Sequence, residues 1–160
     1  MKILDRILQI GLMLLICTVA VSAIAESKNS LPTLTVEIET QQGLVPLTLE
    51  LAVNDETRIR GLMRRASIGP HDGMLFVFQD AEPRSFWMKD TSIPLDIIFF
   101  DGEGYVIQIA KHATPYSLAA IPSGGAADNV IELAAGRADA LGIAPGDRLI
   151  YELPAGVYVE

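Results

Sequence analysis

Cysteine is all but missing from this chain: Cys17 is the only one in 160 residues, and it sits in the apolar run near the start. Without it there is no disulfide framework and no thiol chemistry, so packing alone must hold the fold. Histidine is nearly as scarce, at two residues, His71 and His112. The usual pairings of a nucleophile with an imidazole base are therefore hard to assemble. Gly-x-Ser-x-Gly, His-Glu-x-x-His, a phosphate loop and the dinucleotide-binding glycine pattern are all absent. Positive charge is short as well, with 12 Lys and Arg against 20 Asp and Glu. Such a balance disfavours nucleic acid and anionic membrane surfaces as partners.

The N-terminal end supplies a compartment. Lys2 and Arg6 precede an apolar stretch from Ile7 to Val21, and Ala23 and Ala25 stand three residues and one residue before Glu26. This is the layout of a secretory signal peptide over residues 1–25, with an apolar core too short for a spanning helix of roughly 20 residues. Ile16 before Cys17 is too bulky for lipid attachment. The expected product is exported, periplasmic or extracellular, and has no membrane anchor. Cleavage removes Lys2, Arg6 and Asp5, leaving 10 basic and 19 acidic residues, a formal charge of −9. Residues 26–32 read as a polar lead-in and 33–160 as one domain of ordinary size.

Within that domain the pattern is mainly β. Leu34, Val36 and Ile38 alternate with polar residues, Gln41-Gln42-Gly43 turns the chain, and Leu47, Leu49 and Leu51 alternate again, which predicts a hairpin. Asn54 or Asp55 caps a short helix with Ile59, Leu62 and Met63 as its buried stripe. Strands follow over 74–78, 85–89, 95–101 and 105–110, then a Pro, Gly and Ser loop over 114–128. A strand over 130–133, a helix over 137–141 closed by Gly142, and a last strand over 148–153 complete the chain. About eight short strands and two short helices suit a compact sandwich or partly closed barrel.

Six segments carry a resemblance: RIRGLMR (58–64), DGMLFVF (72–78), FWMKDT (86–91), PLDIIFFD (94–101), VIELAAG (130–136) and GIAPGD (142–147). In their order and spacing the chain resembles the domain of unknown function 192 family, over roughly Val45 to Glu152. The resemblance implies a compact, mainly β domain and a small, often exported prokaryotic protein. It brings no established activity.

Four groups of residues carry candidate chemistry. Arg58, Arg60, Arg64 and Arg65 place four guanidinium groups in eight residues, with Arg60 and Arg64 on one helix face, enough to grip a carboxylate, a sulfate or an acidic sugar. Trp87 and Lys89, two apart in an extended strand, share a face and form an aromatic platform with a cation, of the kind that stacks sugars. Asp96 and Glu132 are acids inside the most apolar strands and need partners or a proton. Were the two to face each other in a cleft, they could act as general acid and base on an extracytoplasmic substrate. Met63, Met74 and Met88 with His71 offer a soft-metal alternative, suited to Cu(I), although they form no close ligand spacing and methionine also fills core gaps. The reading that best combines these features is a monomeric binding or accessory domain rather than an enzyme. It needs no cofactor, and its pocket is built from Arg64, Trp87, Lys89, Asp96 and Glu132 for a small-molecule or protein ligand, with saccharides and anions foremost.

Overall fold

The alternation in residues 33–52 closes into an antiparallel hairpin, β1 (Thr33–Thr40) and β2 (Gly43–Ala52), registered from Thr33 opposite Glu50 to Thr40 opposite Gly43. The structure, a computed structural model, describes residues 31–69 and 72–160. A short helix, α1 (Asp55–Arg60), carries the chain from β2 to β3 (Asp72–Phe86), which pairs parallel with β2. The remaining strands are β4 (Leu95–Phe100), β5 (Val106–Ala113), β6 (Ile121–Ala134) and β7 (Arg148–Ile150), with the single turn α2 (Arg137–Ala140) between the last two.

All seven strands form one sheet in the order β5-β4-β6-β3-β2-β1-β7, curled into a half-barrel. Its two edges meet at one end. Tyr105 bridges Arg148, the Leu149 N–H donates to the Gly104 carbonyl at 2.9 Å, and the Val106 N–H donates to the Asp147 carbonyl at 2.8 Å. Gly104 has φ +85°, and a Cβ there would lie 2.9 Å from the Leu149 carbonyl oxygen, so only glycine fits this closure.

Side-chain alternation divides the core between the two faces of the sheet. The concave face takes apolar residues from every strand, among them Ile38, Leu49, Leu75, Ile98, Val106, Ile131 and Leu149. The convex face carries Met74, Phe76, Ile97, Phe99 and Val130, covered by Leu62 after α1 and by Met88. β4 is buried at all six positions because both faces are covered, as its unbroken apolar run predicts.

Several boundaries differ from expectation. The segments 74–78 and 85–89 are not two strands: β3 runs through the first and ends at Phe86 in the second, with register shifts after Val77 and after Pro83 that bend it. Seven strands result instead of eight. The loop expected over 114–128 is shorter, since β6 begins at Ile121 and its Gly-rich half pairs with the far end of β3. Gly73 lies inside β3, where a Cβ would run into the Glu132 carbonyl oxygen. Asn54, not Asp55, caps α1: its side chain accepts from the Thr57 N–H at 3.0 Å, and Thr57 Oγ1 accepts from the Asn54 N–H at 3.2 Å. The helix ends at Arg60, so Ile59 stays 67% exposed and only Leu62 of the expected stripe is fully buried. Arg64, at φ 61°, lies beyond the helix, so it and Arg60 do not share a helix face. The predicted segments at residues 1–30 lie outside the described residues.

Candidate functional site

The two embedded acids occupy adjacent strands, one residue out of step. Asp96 of β4 stands opposite Leu133, while Glu132 of β6 stands opposite Ile97 on one side and Met74 on the other. Alternation therefore sends Asp96 to the concave face and Glu132 to the convex face. They do not face each other, and the paired-carboxylate arrangement that general acid and base catalysis requires is not formed.

Asp96 is fully buried and its oxygens are committed. Oδ1 accepts from the His112 N–H and Oδ2 from the Ala138 N–H, each at 3.0 Å. His112 has φ 52° and lies where β5 slips register against β4, so Asp96 pins that irregularity and the first turn of α2 together. Its role is to hold these two segments in the fold.

Glu132 has the opposite character. It is 5% exposed, and among the described residues its carboxyl takes part in no side-chain hydrogen bond or ion pair. Burial in apolar surroundings pushes its pKa up to about 8. The carboxyl lines a cleft of about 310 Å³ on the convex face, at the small end of the range for ligand sites. One wall is α1 and the residues after it, including Arg58, Arg60, Leu62 and Met63. The opposite wall comes from the bent strand β3, with Phe76, Phe78, Ser85 and Phe86, and the rim from Trp87 and Thr91. Phe86 packs edge-on against Phe76 at 5.0 Å and against Phe99 at 5.7 Å, which fixes the aromatic wall.

Trp87 follows the end of β3 and is 46% exposed, with the Lys89 ammonium 5.3 Å from its ring centre. The expected platform with its cation is present, although Trp87 and Met88 lie past the strand and Lys89 and Asp90 in a turn. The segment is held by the Met88 N–H donating to the Ser117 carbonyl at 2.9 Å and the Tyr116 N–H donating to the Thr91 carbonyl at 3.1 Å. Asp90 and Tyr116 both have left-handed φ, 53° and 60°, and the Asp90 carbonyl accepts from the N–H of Arg64, itself at 61°. Three non-glycine residues in this costly region thus gather beside one rim, a pattern met at ligand clamps.

The arginines divide. Arg58 donates to the Val77 carbonyl at 2.9 Å, to Asp55 at 2.8 Å and to the carbonyl of Glu160, and lies 4.9 Å from the Phe78 ring centre. Arg65 pairs with Glu50 at 2.5 Å, and Arg60 reaches Glu56 only at 3.8 Å. Arg64 makes no ion pair among the described residues and borders a second groove, of about 410 Å³, with Arg60 and Met63. Of the five expected pocket residues, then, Trp87 and Glu132 line the cleft, Lys89 lies on Trp87, Arg64 flanks it, and Asp96 is on the other face. Of the soft-metal candidates, Met74 and Met88 are fully buried in the convex core, Met63 lines the cleft and His71 is outside the described residues. Phe76, Phe86 and Ser85 were not anticipated as cleft residues, since nothing local in the sequence shows the bend in β3.

The fold and cleft define a class: a curled seven-stranded half-barrel with a ligand-sized cleft under a short helix. The chain belongs to the DUF192 family, "Uncharacterized ACR", whose model matches residues 36–151. Two crystal structures are similar to it. One, from Sinorhizobium meliloti and proposed as a transcription regulator, is 40% identical with a TM-score of 0.75, over 78% of this chain and 97% of that one. The other, a protein of unknown function from Novosphingobium aromaticivorans, is 33% identical with a TM-score of 0.74, over 81% of this chain and 91% of that one. No curated protein matches the chain.

Proposed function

We propose that this protein is an exported small-ligand-binding domain, and that its cleft takes a saccharide. The observation that carries the reading is a buried carboxyl left without a side-chain partner in a cleft lined by aromatic rings, one of them an exposed tryptophan. Sugar rings offer apolar faces to an indole and hydroxyls to a carboxyl, and a few fixed polar groups in an apolar cleft give orientation and specificity. The export half rests on the layout of residues 1–25. Anions, the other ligand class suggested by the arginines, fit less well: Arg58 is already engaged, and the carboxyl of Glu132 would repel an anion once ionised. A formal charge of −9 after cleavage opposes binding to a polyanion, so the regulator role suggested for the Sinorhizobium protein is not carried over.

The test is a thermal-shift screen of the purified protein against mono- and disaccharides. A ligand at 100 times its dissociation constant raises stability by about 2.7 kcal/mol. Trp87→Ala should abolish the shift while leaving the unliganded melting temperature nearly unchanged, since the ring is half exposed. A shift that survives Trp87→Ala would contradict the proposal.

A further inference from the structure

The cleft that Glu132 lines is lined as well by the apolar and aromatic side chains of Leu62, Phe76 and Phe86. A site meant only for hydroxyl groups is served by an amide or a hydroxyl, which costs far less to bury than a carboxyl. A carboxyl held there without a side-chain partner suits a cationic group, and aromatic faces favour a cation over an anion. Among the described cleft-lining residues the other charged groups are Asp55, Arg58 and Arg60, all on α1. Arg58 is taken up by Asp55 and the Glu160 carbonyl, Arg60 lies toward solvent beside Glu56, and the neighbouring cations Arg84 of β3 and Lys89 lie on the rings of Phe78 and Trp87. Among the described lining residues, Glu132 is thus the ionisable group whose side chain meets no partner.

We infer that the ligand is an amino sugar, bound with its protonated amine on the Glu132 carboxyl and its ring against Trp87. The inference rests on the saccharide reading and adds the amine to it. Binding draws Glu132 into the ionised state: its O–H proton leaves to solvent, and the ligand's ammonium takes over as the hydrogen-bond donor to the carboxylate.

Calorimetric titration of the purified protein at neutral pH with glucosamine, glucose and cyclohexylamine tests it. Glucosamine should bind at least about tenfold more tightly than glucose. Repeating the titration in buffers of different ionisation heat should show about one proton released for glucosamine and none for glucose. Glu132→Gln should bring glucosamine down to the level of glucose, and Trp87→Ala should weaken both sugars. Equal affinity for the two sugars, without proton release, would overturn the amine assignment and leave the saccharide reading standing. Binding of cyclohexylamine with neither sugar would overturn the saccharide reading and the amino-sugar assignment with it, as would no binding of any of the three.

Discussion

Glu132 and Asp96 stand in neighbouring strands, both almost free of solvent, yet they act differently because one has partners and the other has none. In an unfolded chain the Glu132 carboxyl titrates near 4.5, and in the folded protein burial raises that to about 8. Between these values the folded state keeps a proton that the unfolded state has lost. Stability therefore falls as pH rises from about 5 to about 8, at up to ~1.4 kcal/mol per unit, and levels off on either side. Glu132→Gln should remove most of this slope and melt several degrees above the native protein at pH 8. Thermal melts of both proteins from pH 5 to 9 check it, and parallel curves would contradict it. Asp128, whose carboxyl burial also pushes up, acts with the same sign. For Asp96 the expectation is reversed: Asp96→Ala leaves two N–H groups without their acceptor and should cost roughly 2–5 kcal/mol in denaturant unfolding, while the affinity of the cleft for its ligand stays the same.

At the scale of elements, the cleft exists because a strand bends and a helix is short. β3 is long enough to place Phe76 and Phe86 on one wall only through its register shifts, and α1 stops at Arg60, leaving the space above Glu132 unfilled. Asn54→Ala removes the reciprocal cap of α1 and should cost about 1 kcal/mol. It should also weaken ligand binding, since Arg58, Arg60 and Leu62 depend on where that helix sits; unchanged affinity in calorimetry would mean that α1 is not a working wall. Much of this level was legible in advance: the hairpin, β4 buried on both faces, the capped helix and the turn of α2 all follow from periodicity and capping. The bend in β3 was not, because the polar run Gln79 to Ser85 reads locally as a break between strands and only pairing with the distant, glycine-rich part of β6 makes it one. The partial burial of the cleft residues escaped for the same reason. Trp87 and Lys89 were correctly placed together, but Asp96 and Glu132 could be assigned to opposite faces only once the β4–β6 register was known.

For the whole molecule, one sheet curls until its edges touch, and the contact is made by a few backbone groups around Gly104. Gly104→Ala forces a Cβ against the Leu149 carbonyl oxygen and should loosen the β5–β7 end, lowering amide-exchange protection at Val106 and Leu149 first, with less effect on β3 and β6. Uniform loss of protection would instead mean that closure is needed for the entire fold. The central claim is that the cleft beneath α1 is where this protein meets its ligand. The most direct measurement is a two-dimensional amide spectrum of the purified protein titrated with glucosamine. Shifts confined to the residues around Leu62, Phe86, Trp87 and Glu132, with the Trp87 indole signal among them, are the expected result. Shifts centred on β7 and α2, or a spectrum that does not change, would contradict it.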